Sequence, residues 1–547
     1  MNIYLDNAAT SFPKPETVYR AVNDTLQKYG SSPGRGGHKM SMQTERIIFE
    51  ARERITSFFN IPFSSNVIFT FNVTMGINLA LKGILKAGDH VITSSMEHNA
   101  VMRPLKRLEN EGVSKTVVKC SKEGFLNPKD IEKEIKPNTK MIVITHASNV
   151  TGTILPIREV GEIARKNGII FFVDAAQSAG LLPIDVQKDN IDILGCTGHK
   201  SLFGPQGTGF LYIKDGLDVK PLIEGGTGSN SESDEMPDFL PDKFQAGTLN
   251  TPGIAGLGAG IEFIQNEGLE KIRDKELHLA TEILNGLKKI KGVTLYGPSN
   301  SMDRVSVISF NIDGKDPAEV GNILNEKYDI MSRVGLHCSP NAHRTIGTFP
   351  EGTVRVSVGY FNTEDDIDKL IKAVRDIRDS KVVLEILKQA MESEQDGYEF
   401  YIRASAMTKD PKGKAMFKYL ARDETDHFKT LEEAYNRLKG GEGKGSKTIG
   451  HKKKEKGFVI DSSLQGKLKD DSGDLKALNI ALKIEEDAQE FYTKSAEKAK
   501  QFDVRDMLLN LADMEKNHYK LLKYEYDFLT HSGFWCDFSE ITIEETE

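Results

Sequence analysis

The chain has 547 residues, too many for one ordinary domain. Hydrophobic residues make up 38% and charged residues 28%, which fits soluble globular domains and excludes a disordered chain. The net charge of −8 argues against a nucleic-acid binder, and no apolar run approaches the roughly 18 residues that span a membrane.

Four cysteines, Cys120, Cys196, Cys338 and Cys536, lie far apart and form no CxxC. Neither a disulfide framework nor a Cys-rich zinc site is expected, and a reducing cytoplasm fits best. The opening stretch MNIYLDNAATSF has no basic region followed by an apolar run, so no signal peptide is expected.

Residues 1–378 read as α/β. HVITSS (90–95), MIVITHAS (141–148), IIFFVDAA (169–176), IDILGCTG (191–198) and TGFLYI (208–213) are strand candidates. Such nearly continuous apolar runs suit strands buried on both faces. Amphipathic stretches such as REVGEIARKNG lie between several of them, as in a crossover sheet.

Residues 383–547 read as a second, all-α domain. Two long helical patterns, VVLEILKQAMESEQDGYEFYIRASAM and KGKAMFKYLARDETDHFKTLEEAYNRL, precede a Lys- and Gly-rich loop at 439–471. Two more follow, DLKALNIALKIEEDAQEFYTKSAEKA and VRDMLLNLADMEKNHYKLLKYEYDFL. EQDGYEFYIRAS matches EEDAQEFYTKSA, and DETDHFKTLEEAY matches DMEKNHYKLLKYEY. Two copies of one helical hairpin predict a four-helix bundle.

The most specific local signal is VDAAQSAG (173–180) followed by TGHKSLFGPQGTG (197–209). A lysine after a strand, flanked by His and small residues, suits a Schiff base with a carbonyl cofactor. An aspartate at an earlier strand end suits the pyridine nitrogen of pyridoxal 5'-phosphate, where it keeps the ring protonated and electron-accepting. Taken alone, Asp174 and Lys200 are equally well ordinary surface charges.

In the helical repeats, Glu394 stands seven residues before Tyr401, and Glu485 seven before Tyr492, each pair on one helix face. The second helix of each pair carries ExxH: Glu424 with His427, and Glu515 with His518. One Glu from each of two helices plus ExxH from the other two is the ligand set of di-iron carboxylate bundles.

The order of LDNAAT (5–10), FTFNVTMGIN (69–78), SMEHNAV (95–101), THASNVTGT (145–153), VDAAQ, GHK, FQAGTLNT (244–251) and RVGLHCSP (333–340) resembles the class V aminotransferase fold, and within it the cysteine desulfurases. The resemblance covers nearly all of residues 1–378 and implies a fold-type-I pyridoxal-phosphate enzyme that converts L-cysteine to L-alanine. It implies Lys200 as the Schiff-base lysine and Asp174 at the ring nitrogen. Gln177 and Asn149 would lie near the ring hydroxyl and the substrate. His98 would stack on the ring and assist proton transfer.

Thr74, Thr197 and His199 would hold the phosphate, joined by Thr248 from the neighbouring subunit, which implies a homodimer. Val73 stands where the family often has a second hydroxyl, so one phosphate contact is expected to be missing. Cys338 would attack the substrate sulfur and carry it as a persulfide, with His337 and Arg333 supplying positive charge nearby. The short loop around it resembles type II desulfurases. Arg355, in GTVRVSVGYFNT, matches the arginine that grips the substrate carboxylate. Sulfur would pass to an unidentified acceptor protein, as in iron–sulfur cluster assembly. Selenocysteine lyases and other class V aminotransferases share the fold; a chiefly iron-binding or oxidant-scavenging protein is the rival from another class.

Residues 383–530 resemble rubrerythrin-type ferritin-like domains. The resemblance implies two iron ions held by Glu394, Glu424, His427, Glu485, Glu515 and His518, a donor set that also accepts manganese or zinc. The tyrosines would hydrogen-bond the ligand carboxylates. No rubredoxin-type paired CxxC is present, so electrons would come from elsewhere. Ala488 stands where rubrerythrins often have a further glutamate, so peroxidase activity does not follow.

Overall fold

The computed structural model describes residues 2–33, 37–378, 381–439, 473–499 and 502–536. The chain divides into two compact units, Met1–Arg378 and Asp379–Glu547.

The first unit is built on a seven-stranded sheet. Its strands are β1 (Val67–Thr70), β2 (His90–Ser94), β3 (Ser114–Val118), β4 (Thr139–Thr145), β5 (Ile170–Asp174), β6 (Ile193–Thr197) and β7 (Gly209–Ile213), in the order β1-β7-β6-β5-β4-β2-β3. β2 pairs in parallel with β3 and β4, β4 with β5, and β5 with β6, while β7 is antiparallel to both its neighbours. All five expected strands are present. β3 escaped the pattern because SKTVV is polar and partly exposed, as an edge strand should be.

The apolar runs are continuous because alternate residues feed two cores. Ile92, Ile142, Phe171 and Val173 belong to one cluster, and Val91, Met141, Val143 and Phe172 to another. Helix α1 (Val73–Ile84) starts at Asn72, whose side chain accepts from the Met75 amide at 3.0 Å. Helix α2 (Asn99–Asn110) is capped the same way by His98. A second, antiparallel sheet holds β8 (Val293–Tyr296), β9 (Val307–Ile312), β10 (Arg333–Gly335) and β11 (Thr353–Ser357), ordered β10-β11-β9-β8. It was not among the expected strands.

The second unit is two helical hairpins, α3 (Lys381–Met407) with α4 (Pro411–Lys439), and α5 (Asp474–Lys498) with α6 (Phe502–Ser532). The Lys- and Gly-rich loop lies outside the described residues from 440 on. One apolar cluster holds Phe400, Phe417, Leu478 and Trp535, and a second holds Leu387, Leu431, Tyr492 and Leu508.

Candidate active site and metal centre

The parallel strands converge on one cavity of about 300 Å³. Thr145 ends β4, Asp174 ends β5 and Thr197 ends β6, and all three line it. This is the carboxyl edge of the sheet, where open α/β folds bind ligands. Gly198 makes the following turn possible, since a Cβ there would lie 2.2 Å from the Thr208 hydroxyl. The turn brings His199 and Lys200 onto the cavity wall.

Asp174 is 2% exposed, and its Oδ1 accepts from the Ala176 amide at 3.0 Å. Burial pushes its carboxyl up from the usual range, and Lys200 pulls it back. Burial also pulls the Lys200 amine down to about 8, against Asp174 and with help from Arg355 and Arg333. The Thr197 hydroxyl and His199 Nδ1 are buried with no hydrogen-bond partner. Val73 and Thr74 bring the start of α1, with its unpaired amides, to the same wall. These unpaired donors fit a phosphate. The Asp174 carboxylate and the Lys200 amine fit a pyridine nitrogen and an aldehyde carbon.

His98 is neutral, because burial and the Lys200 and Arg333 charges push it down to about 4. Its Nδ1 accepts from the Ala100 amide at 3.0 Å, which places the ring proton on Nε2. Lys14 Nζ donates to the His199 carbonyl at 2.7 Å and so steadies that turn.

Cys338 is exposed at the cavity rim, directly after the buried His337. Both residues have left-handed backbone, φ 47° and 58°. Such conformations cost on the order of 1–3 kcal/mol each for non-glycine residues. Three hydrogen bonds hold the loop there. Asn149 Nδ2 donates to the His337 carbonyl at 2.7 Å, the Ser339 hydroxyl to Asn149 Oδ1 at 2.7 Å, and the Asn99 amide to the Cys338 carbonyl at 2.8 Å. His337 does not supply the expected positive charge: burial and Arg355 push it down to about 2, and its Nε2 pairs with the Thr353 hydroxyl. Arg333, Arg355 and Lys200 are the cations that line the cavity together with Cys338.

Arg355 is 2% exposed on β11. Its Nη2 donates to Asp6 Oδ1 at 2.6 Å and its Nη1 to the Asn149 carbonyl at 3.1 Å. Part of its fork is therefore already engaged.

In the bundle all six predicted ligands are buried and fall into two overlapping groups. Glu394, Glu424, His427 and Glu515 form one; Glu424, Glu485, Glu515 and His518 form the other, with one donor atom from each residue within 4.8 Å of the rest. Glu424 and Glu515 are common to both groups. His427 Nδ1 lies 3.2 Å from Glu394 and 3.1 Å from Glu515, and His518 Nδ1 lies 3.1 Å from Glu515 and 3.7 Å from Glu485. The two rings stack with centroids 5.6 Å apart. The tyrosines bond crosswise: Tyr401 donates to Glu485, and Tyr492 to Glu394.

Burial pushes Glu394, Glu424 and Glu485 far above the usual carboxylate range, reinforced for each by neighbouring glutamates. Three carboxyls pushed up in this way, with Glu515 among them, need either protons or cations close by. Together with two imidazole donors they fit a pair of transition-metal ions. Gly397, which matches Ala488 in the repeat, leaves room for Glu424: a Cβ there would sit 3.1 Å from its carboxyl carbon.

The aminotransferase class-V family matches residues 3–370. The chain belongs to the class-V aminotransferase family. Within it the cysteine desulfurases are the similar proteins. A probable cysteine desulfurase of Methanothermobacter thermautotrophicus is 35% identical over 383 residues, covering 69% of this chain and 94% of the relative. A cysteine desulfurase of Escherichia coli O157:H7 is 34% identical over 385 residues, covering 68% and 93%. Among solved structures, an apo cysteine desulfurase of Thermococcus onnurineus has TM-score 0.64 and 33% identity, covering 69% of this chain and 94% of that one. An Escherichia coli cysteine desulfurase in its S-sulfonic acid form has TM-score 0.60 and 27% identity, covering 68% and 94%. The rubrerythrin family matches residues 385–526, so the second unit is a rubrerythrin domain.

In this class-V aminotransferase every predicted residue of the first unit except Thr248 lines the one cavity. Thr248 is exposed in the single chain. Gln177 faces the cavity but spends its Nε2 on the Ala8 carbonyl, 3.0 Å away. Sequence reasoning missed the role of Asp6, although it stands inside the quoted LDNAAT block. It also missed Asp423, whose Oδ2 lies 3.2 Å from His518 Nε2; its position just before Glu424 was the available signal. Among the described residues no helix is long and apolar enough to cross a membrane.

Proposed function

We propose that the first unit takes sulfur from L-cysteine, leaves L-alanine and carries the sulfur as a persulfide on Cys338, and that the rubrerythrin domain holds two metal ions, iron by family expectation. The carrying observation is the convergence of Lys200, Asp174, Arg355 and an exposed cysteine on one cavity.

Bound pyridoxal 5'-phosphate supplies an electron sink for the substrate's Cα–H electrons. Asp174 holds a proton on the ring nitrogen and Lys200 anchors the cofactor. Thr74, Thr197, His199 and the start of α1 hold the phosphate, with Thr248 of the partner subunit completing the site in a homodimer. His98 offers a flat neutral face to the ring and an Nε2–H donor; with Nδ1 spent on Ala100, proton removal falls to the Lys200 amine instead. Arg355, backed by Arg333, holds the substrate carboxylate, and Asn149 ties the substrate pocket to the cysteine loop.

The Cys338 thiolate attacks the substrate Sγ. The new S–S bond forms as the Cβ–Sγ bond breaks, and the electron pair left on Cβ takes a proton on the way to alanine. The sulfur then passes to an acceptor protein's thiol. The test is incubation of the cofactor-loaded full chain with one equivalent of L-cysteine and no added thiol. Equal alanine and Cys338 persulfide support the reading, and keto acid without persulfide overturns it.

A further inference from the structure

The two halves of the metal centre differ in one respect that the repeat does not predict. His518 and His427 occupy matched positions, and both aim Nδ1 at the carboxylates. A neutral imidazole that ligates through Nδ1 must carry its proton on Nε2. For His518 that proton has an acceptor, Asp423 Oδ2 at 3.2 Å. For His427 it has none: Nε2 is buried without a hydrogen-bond partner, in a side chain only 2% exposed.

The cause is in the sequence. Asp423 directly precedes Glu424, and the residue that directly precedes Glu515 is Met514. A thioether is only a weak acceptor. Asp423 is itself bonded by the Tyr419 hydroxyl one turn earlier, and the matched position in the second repeat is Asn510. A Tyr419–Asp423–His518 string therefore reaches one metal position only, ending outside at Tyr419, which is 44% exposed.

We infer that Asp423 is a positioning residue that makes the two metal positions unequal, with the His518 position filling before the His427 position. This rests on the two-metal reading above. A carboxylate behind a ligating histidine fixes its tautomer and ring orientation and raises its basicity. Loss of such a partner weakens metal binding by about 10- to 100-fold, so the two steps of filling should be separated by a factor of that order.

The test is titration of the metal-free full chain with Mn(II), counting free Mn(II) by electron paramagnetic resonance, and again with Fe(II) without oxygen. The wild type should take up two ions in two resolved steps. Asp423→Ala should weaken the first step by about 10- to 100-fold and bring it near the second, with total capacity still two. Asp423→Asn keeps an acceptor oxygen and should restore part of the tight step. Met514→Asp, at a position that is 44% exposed, should tighten the second step.

Equal steps in the wild type, or a first step untouched by Asp423→Ala, would overturn the inference while leaving the two-metal centre standing. A wild-type chain that binds neither Mn(II) nor Fe(II) would overturn both.

Discussion

Asn149 donates a 2.7 Å hydrogen bond to the carbonyl of His337, the residue directly before Cys338. One amide thereby joins the cavity to the Cys338 loop. Its own orientation is set by Ser339, which donates to Oδ1 at 2.7 Å. Two consecutive left-handed residues stay in place because this buried network holds them.

Ser339→Ala should therefore slow alanine formation by about 10-fold or more while leaving cofactor binding intact. It leaves a buried acceptor without its donor, which costs on the order of 1–3 kcal/mol, and that cost falls on the loop. Steady-state kinetics, together with the rate of Cys338 alkylation by iodoacetamide, read the effect. Unchanged turnover and unchanged alkylation would show that the loop does not depend on this bond.

Cys338→Ser should bind pyridoxal 5'-phosphate and L-cysteine and release no sulfur, because an alcohol at neutral pH is a far poorer nucleophile than a thiolate. Cofactor absorbance and alanine assay on one sample separate binding from chemistry. Wild-type turnover in this variant would remove Cys338 from the mechanism. Turnover of selenocysteine alone would move the enzyme toward the lyases.

Lys200 gives a pH prediction with a definite sign. Its amine in the cofactor-free site is held down to about 8, chiefly by burial. Only the neutral amine attacks an aldehyde, so cofactor uptake should be slow below that value, rise through pH 8 and level off above it. Asp174 opposes the shift, so Asp174→Asn should move the inflection to lower pH. Stopped-flow absorbance of cofactor uptake measures both curves. A rate that falls with rising pH over this range would contradict the assignment, and Lys200→Ala should abolish the visible lysine-bound band altogether.

Most of this architecture was legible because its signals are local. Lys200 and its glycine turn lie within a few residues, strands buried on both faces show as continuous apolar runs, and ExxH repeats at matched places in two hairpins. What escaped depends on distant partners. Asp6 meets Arg355 only because the chain's first residues lie beside β11, through the bridge Asp6–Ser357. The crosswise tyrosines follow from how the hairpins face each other, which a helix pattern alone does not encode. His337 reads as a charge in a one-dimensional string, and burial makes it neutral.

The metal centre gives the last prediction. Glu394, Glu424 and Glu485 are pushed up by burial and by one another, so the metal-free bundle keeps carboxyls that must stay protonated or repel. Divalent cations replace those protons, and they bind the folded bundle far better than the unfolded chain. At a free concentration about 100 times the dissociation constant, one such ion adds about 2.7 kcal/mol of stability. For a unit of this size that raises the melting temperature by roughly 5–10 °C. Calorimetry of the full chain with and without Mn(II) should show the bundle's transition moving by this amount while that of the first unit stays put. The paired substitution His427→Ala with His518→Ala removes both nitrogen donors, so its bundle transition should respond weakly to Mn(II) and its cofactor absorbance should match the wild type. A wild-type bundle transition indifferent to both manganese and iron would mean that Glu394, Glu424 and Glu485 hold protons rather than metal.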